Sequence, residues 1–244
     1  MPPLCGSLMP VTAIGKLQTI QNAAMRIATG CLRMSSLDHL HRETKLLPVA
    51  SSLSLLCKQY LLSALRPGHP AERSVNLPPS RRNIKHTLSS RFRNSIDHLL
   101  TDGVVPAAEY RPGLRRLHTA AVEDALRTAA LNRVLGTPPP EVDLSELSLP
   151  RPTRSALAQL RSGFCSSLES YRFRIGISPN ECCPECQQSP HDVAHIFECP
   201  THPTPLTVSS LWDDPVAVAG HLSSLPSFPF VVPLPRPPPE PPPT

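Results

Sequence analysis

The sequence predicts a mainly α-helical protein with helical segments joined by Pro-rich linkers, and three observations carry that expectation. Apolar residues recur at spacings of three and four in several windows, which aligns one burying face on a helix. Aromatic residues are scarce, six Phe, three Tyr and one Trp in 244 residues, so the 40% hydrophobic content rests mostly on Leu, Ala, Val and Ile. Such a core favours helices over a sandwich of sheets. Proline is in excess, with 32 residues, yet Pro and Gly together stay below the roughly 25–30% of a wholly disordered chain. The prolines therefore punctuate folded segments and load one tail. At about 150 residues per domain, the length suits one or two domains.

The first helix follows from Ile14, Leu17, Ile20, Ala24 and Ile27, and Gly30 ends it as a residue suited to a left-handed cap. Ser35, with Asp38 three residues on, reads as the capping box of a short helix carrying Leu37 and Leu40, which Leu46-Leu47-Pro48 interrupts. Pro48 suits the first turn of a third helix. Its apolar stripe is Val49, Leu53, Leu56, Cys57, Tyr60, Leu61 and Ala64, and Pro67-Gly68 closes it. Residues 1–66 thus form one helical segment, and residues 67–80, with four prolines, form a linker.

Residues 81–136 form a basic helical segment. Arg81, Arg82, Lys85, Arg91 and Arg93 fall among thirteen residues without an acid, while Ile84, Leu88, Phe92, Ile96, Leu99 and Leu100 recur at helical spacing. One face can bury while the other meets phosphate or water. A further helix is expected over 113–135, with Leu114, Leu117, Ala121, Ala125, Leu126 and the run 129–135, ended by Gly136 and a triple proline. After a Pro-rich linker, 137–152, Thr153 caps a helix carrying Leu157 and Leu160, and the chain continues to Leu168, Tyr171 and Phe173. Farther on, only the stretch from Leu211-Trp212 to Leu222 looks able to pack. Residues 223–244 read as a disordered polyproline tail, with ten prolines in the last 20 residues.

No run of 18 uninterrupted apolar residues occurs, and Met1-Pro2-Pro3-Leu4-Cys5 lacks the basic region and apolar run of a secretory signal. An intracellular protein, nuclear or cytoplasmic and without a membrane partner, is the expectation. Charge is divided along the chain: residues 1–180 hold 23 Lys and Arg against 12 Asp and Glu, whereas residues 181–244 hold one against seven. The basic part suits a surface that faces phosphates, or equally one that only keeps the chain soluble.

Of eight cysteines, Cys182, Cys183, Cys186 and Cys199 lie within 18 residues beside histidines, the spacing of a metal site. Cys183 and Cys186 form a CxxC clamp, and His195 and Cys199 are one helical turn apart. Three thiolates and one imidazole fill a tetrahedral zinc shell and leave no position for water, so the ion would be structural. Ser189 as a cap, Pro190 at the first helical position, Asp192 completing a capping box and Pro200 as a stop supply the scaffold. Cys182 and His191 stand as substitute ligands. Residues 153–222 are then a helix plus a small zinc-knuckle-like module. No GxxxxGK[ST], HExxH or GxSxG motif occurs, and Asp213-Asp214 reads as an acidic pair at a helix start, so no catalytic residue is assigned and no enzyme is expected.

Three blocks, in order, resemble the C-terminal, post-polymerase region of reverse transcriptase polyproteins of non-LTR retrotransposons, particularly jockey-like elements. They are residues 16–30 (KLQTIQNAAMRIATG), continued by Leu37-Asp38-His39-Leu40-His41 and Thr44-Lys45-Leu46-Leu47-Pro48; residues 157–165 (LAQLRSGFC); and the Cys/His cluster followed by Leu211-Trp212-Asp213-Asp214-Pro215. In that family the fingers, palm and endonuclease precede this region, and none of their motifs is present here. The resemblance therefore implies neither polymerisation nor nicking by this chain. It implies zinc at Cys183, Cys186, His195 and Cys199, a role in gripping RNA or DNA (element transcript or target), and a nucleic-acid contact at Arg161. A second reading is a protein-interaction piece whose polyproline tail is a ligand for SH3 or WW grooves. A third is a decayed retroelement product with no selected activity.

Overall fold

The structure, a computed structural model, describes residues 10–72, 75, 88–188, 190–229 and 231, with the backbone alone at 88–91. It is mainly helical. The described helices are α1 (Val11–Thr29), α2 (Leu37–Thr44), α3 (Val49–Ala64), α4 (Leu88–Ile96), α5 (Ala107–Thr128), α6 (Arg151–Arg161), α7 (Glu169–Arg174), α8 (Val193–Glu198), α9 (Ser210–Asp213) and α10 (Pro215–Ser223). Two 3-10 turns, Asp97–Leu99 and Leu144–Ser148, accompany them. No strand occurs among the described residues, only the isolated bridges Thr101 to Val104 and Cys182 to Pro190.

The chain divides into two compact units that interleave along the sequence. One comprises Met1–Gln21 and Leu46–Ala129, the other Asn22–Lys45 and Ala130–Thr244.

In the first unit, α3 lies against α4 and α5. Leu55, Leu61, Leu62 and Leu65 bury against Ile96, Leu99, Val105 and Leu117. Ile96 and Leu99 thus bury as their spacing predicts, and on α3 Leu61 and Ala64 of the expected stripe are buried, whereas Leu56 and Tyr60 are exposed and Leu55 and Leu62 take their place. Both registers have helical spacing, and the packing partner selects between them. Gly113 lets α5 approach closely, since a Cβ there would lie 3.1 Å from Leu62 Cδ2. Pro48 sits at the N-cap of α3 and offers no side-chain cap. Gln18 of α1 substitutes, its Oε1 accepting the Val49 N–H at 2.9 Å while neighbouring Gln21 donates to the Leu47 carbonyl. The helix expected over 113–135 runs instead from Ala107 to Thr128. Beyond it Asn132 turns its side-chain Oδ1 to the N–H groups of Val134 and Leu135, a local turn that displaces helix.

In the second unit, α6, α8, α9 and α10 enclose a core of Leu157, Leu160, Ile196, Phe197, Leu211, Trp212, Val218 and Leu222. The core continues through Leu225, Phe228 and Val231, so the start of the expected disordered tail is packed; residues 232–244 lie outside the described residues. Gly30 ends α1 with φ +73°, and a Cβ there would lie 2.6 Å from Ser155 Oγ. Only Met25 of α1 is fully buried; the expected face bearing Leu17, Ile20 and Ile27 is exposed. Two caps also differ from expectation. Ser36, not Ser35, caps α2 by accepting from His39 N, and Ser35 donates to Ser162 Oγ. Thr153 is buried inside α6, whose N-cap is Pro150, because Pro152 already favours the first turn. Asp214, by contrast, caps α10 by accepting from Ala217 N, as a helix-start acid should.

Candidate metal centre

Cys183 and Cys186 stand on a tight turn whose base is the Cys182 to Pro190 bridge. The His191 N–H donates to the Glu181 carbonyl at 2.7 Å, and the Gln187 N–H, from a residue with φ +59°, donates to the Cys183 carbonyl at 2.9 Å. These bonds fold the CxxC segment back on itself. Helix α8 supplies the other half: Asp192 caps it by accepting from His195 N at 3.0 Å, and Val193, Ile196 and Phe197 bury in the core. That burial fixes the rotation of α8, so His195 faces the turn and Cys199, at the C-cap, follows one turn later. The expected scaffold is corrected here. Asp192 itself is the cap, Pro190 belongs to the bridge, and Ser189 lies outside the described residues.

The ligand atoms of Cys183, Cys186, His195 and Cys199 all lie within 4.8 Å of one another. Cys183 Sγ is 4.0 Å from Cys199 Sγ, and Cys186 Sγ is 3.2 Å from His195 Nε2. A tetrahedral ion with sulfur at about 2.3 Å and nitrogen at about 2.05 Å places such pairs roughly 3.6–3.8 Å apart. The spacing fits, whereas a disulfide needs sulfurs about 2.05 Å apart. This Cys3His group could hold a metal ion. Burial pushes the Cys183 thiol up, opposed by backbone hydrogen bonds from Cys186 and Glu185.

The two substitute ligands have other positions. Cys182 lies in the bridge. His191 is buried, and its Nδ1 accepts the Glu169 N–H at 3.2 Å. Burial, then the neighbouring His195, lowers its pKa and keeps this imidazole an acceptor.

The basic residues separate sharply. Arg81, Arg82 and Lys85 lie outside the described residues, as does the side chain of Arg91. Arg93 donates to the Gly103 carbonyl at 3.0 Å and pairs with Asp97 at 3.5 Å, which ties it to its own turn. Arg161 is corrected outright as a nucleic-acid contact: it is 0% exposed and sits between Glu43 and Glu146. The sequence reading missed both carboxylates. The available signal was position, since Arg161 lies four residues after Leu157 on the apolar face of α6, where a cation needs buried partners.

Comparison with protein-family models, with curated proteins and with solved structures returned no significant match. No single helix among the described residues is long and apolar enough to cross a membrane.

Proposed function

We propose that this chain is a helical nucleic-acid-binding segment stapled by zinc, and that it corresponds to the post-polymerase part of a jockey-like non-LTR retrotransposon polyprotein. The observation that supports it most is the convergence of Cys183, Cys186, His195 and Cys199 in a chain of net charge +5 whose first 180 residues hold nearly all the cations. Three sulfurs and an imidazole select zinc over the hard divalent cations, which take oxygen ligands. A filled shell leaves no site to activate water, so the reading is binding rather than catalysis. The surplus positive charge of the other residues then supplies phosphate contacts.

Retention of zinc-loaded protein on single-stranded RNA and on DNA across a salt series tests the reading. Affinity should fall linearly with the logarithm of salt concentration, because each phosphate neutralised releases counterions. Retention of neither polymer, or retention indifferent to salt, overturns it.

A further inference from the structure

The second unit contains a cavity of about 260 Å³ that the metal centre does not use. Met34, Ser36, Arg42, Leu131, Arg133 and Phe164 are among the residues that line it, and no Asp or Glu is. The nearby Asp38 carboxylate accepts the Ala130 N–H at 2.9 Å. Phe164 is 7% exposed and packs edge-on against Tyr171, so its ring is a fixed wall.

Two guanidiniums converge on that ring. Arg133 lies over it at 4.7 Å from the centroid and Arg174 at 5.5 Å. Both are exposed, and neither forms an ion pair among the described residues, whereas the adjacent Arg172 pairs with Glu169 at 2.7 Å. The attraction of each cation for the ring leaves its charge without a carboxylate partner, and guanidiniums match phosphate oxygens with paired N–H donors. The adjoining cavity, with apolar walls and the Ser36 hydroxyl, has the size for a flat heterocycle beside that phosphate.

We propose that Arg133, Phe164 and Arg174 with this cavity form a binding site for one nucleoside phosphate unit. The polynucleotide reading above supplies its source, a single strand lodging one nucleotide at a time, and for that source the site rests on that reading. Stacking on an aromatic wall with cations along the backbone is the general physics of single-strand sites.

Calorimetric titration of the full chain with AMP, adenosine and inorganic phosphate tests the site directly. AMP should bind, and adenosine and phosphate should each bind at least tenfold more weakly. Arg133→Gln and Arg174→Gln should each weaken AMP about tenfold, the scale of one charge-assisted hydrogen bond. Arg116→Gln, at a residue paired with Glu109 in the other unit, should leave AMP binding unchanged. Single-stranded RNA should compete with AMP if a strand is the source, and absence of competition assigns the site to free nucleotides. No binding of AMP at millimolar concentration, or unchanged affinity in both arginine variants, overturns the site. RNA retention without AMP binding removes the site and leaves the polynucleotide reading standing; AMP binding through both arginines without RNA retention does the reverse.

Discussion

Arg161 and Glu43, 118 residues apart, meet through two parallel hydrogen bonds, Nε to Oε1 at 2.7 Å and Nη2 to Oε2 at 2.8 Å. Glu146 takes Nη1 at 2.7 Å and Nη2 at 3.0 Å, and the Leu211 carbonyl takes the remaining Nη1 proton at 3.0 Å. A guanidinium has five N–H donors, and here each has an acceptor. The side chain thereby ties α2, the 3-10 turn Leu144–Ser148, α6 and α9 of the second unit to one point.

Removing that cation should therefore unfold the second unit far more readily than an ordinary surface substitution. Arg161→Met strips two largely buried carboxylates of their shared guanidinium, at a cost of about 3–5 kcal/mol. Arg161→Lys keeps the charge but loses the planar fork, so its loss should be smaller yet clear. Urea unfolding followed through Trp212, the single tryptophan, buried in the same unit, reads both. Parental stability in Arg161→Met, coupled with weakened RNA retention, would return Arg161 to the surface role that its burial denies.

The same cluster sets an acid limit. Burial alone would raise the Glu43 carboxyl, but the charge and hydrogen bonds of Arg161 outweigh it and hold Glu43 below its ordinary range. The unfolded chain then binds the proton more readily than the folded one, so stability rises with pH across that window. This contribution is complete above the unfolded value of about 4.3 and disappears as pH falls through the folded value. His39, 3.9 Å from Glu43, acts in the same direction from higher pH. Burial lowers its pKa despite the opposing Glu43 charge, so it resists protonation when folded and begins to cost stability below about 6.5. Glu43→Gln should be less stable than the parent at neutral pH, and the gap should narrow below about pH 4.3. Parallel losses in the two proteins would show that Glu43 is not the group involved.

Much of this was legible in the sequence wherever a local signal acts alone. Gly30 ends α1 because its φ of +73° suits glycine, and Cys183, Cys186, His195 and Cys199 gather because CxxC and a one-turn spacing are short-range geometry. What escaped was set by partners distant in the chain. Which side of α3 buries depends on α4 and α5, so Leu55 and Leu62 replaced Leu56 and Tyr60. Periodicity cannot choose between two adjacent apolar rows. Gln18 capping α3 across 31 residues, and Glu43 reaching Arg161, leave no trace in any local window. The two interleaved units follow from the same cause, since unit membership is decided by contacts and not by chain order.

The metal centre makes the last prediction. Purified protein should carry one equivalent of zinc, and Cys183→Ser or Cys186→Ser should lower that stoichiometry, while Cys182→Ser, at a residue held in the bridge to Pro190, should retain it. Binding to the folded state alone stabilises by about 2.7 kcal/mol when free ion exceeds its dissociation constant a hundredfold. Because α8 also carries Val193, Ile196 and Phe197 into the core, losing the ion should reach beyond the turn to Trp212. A chelator should thus speed amide exchange in α8 and lower the urea midpoint read at Trp212, both restored by added zinc. Zinc retained equally by Cys183→Ser and the parent, with Cys182→Ser losing it, would exchange the two neighbours as ligands. Exchange rates in α8 that ignore the chelator altogether would leave the four side chains as free thiols and an imidazole around a site that takes no ion.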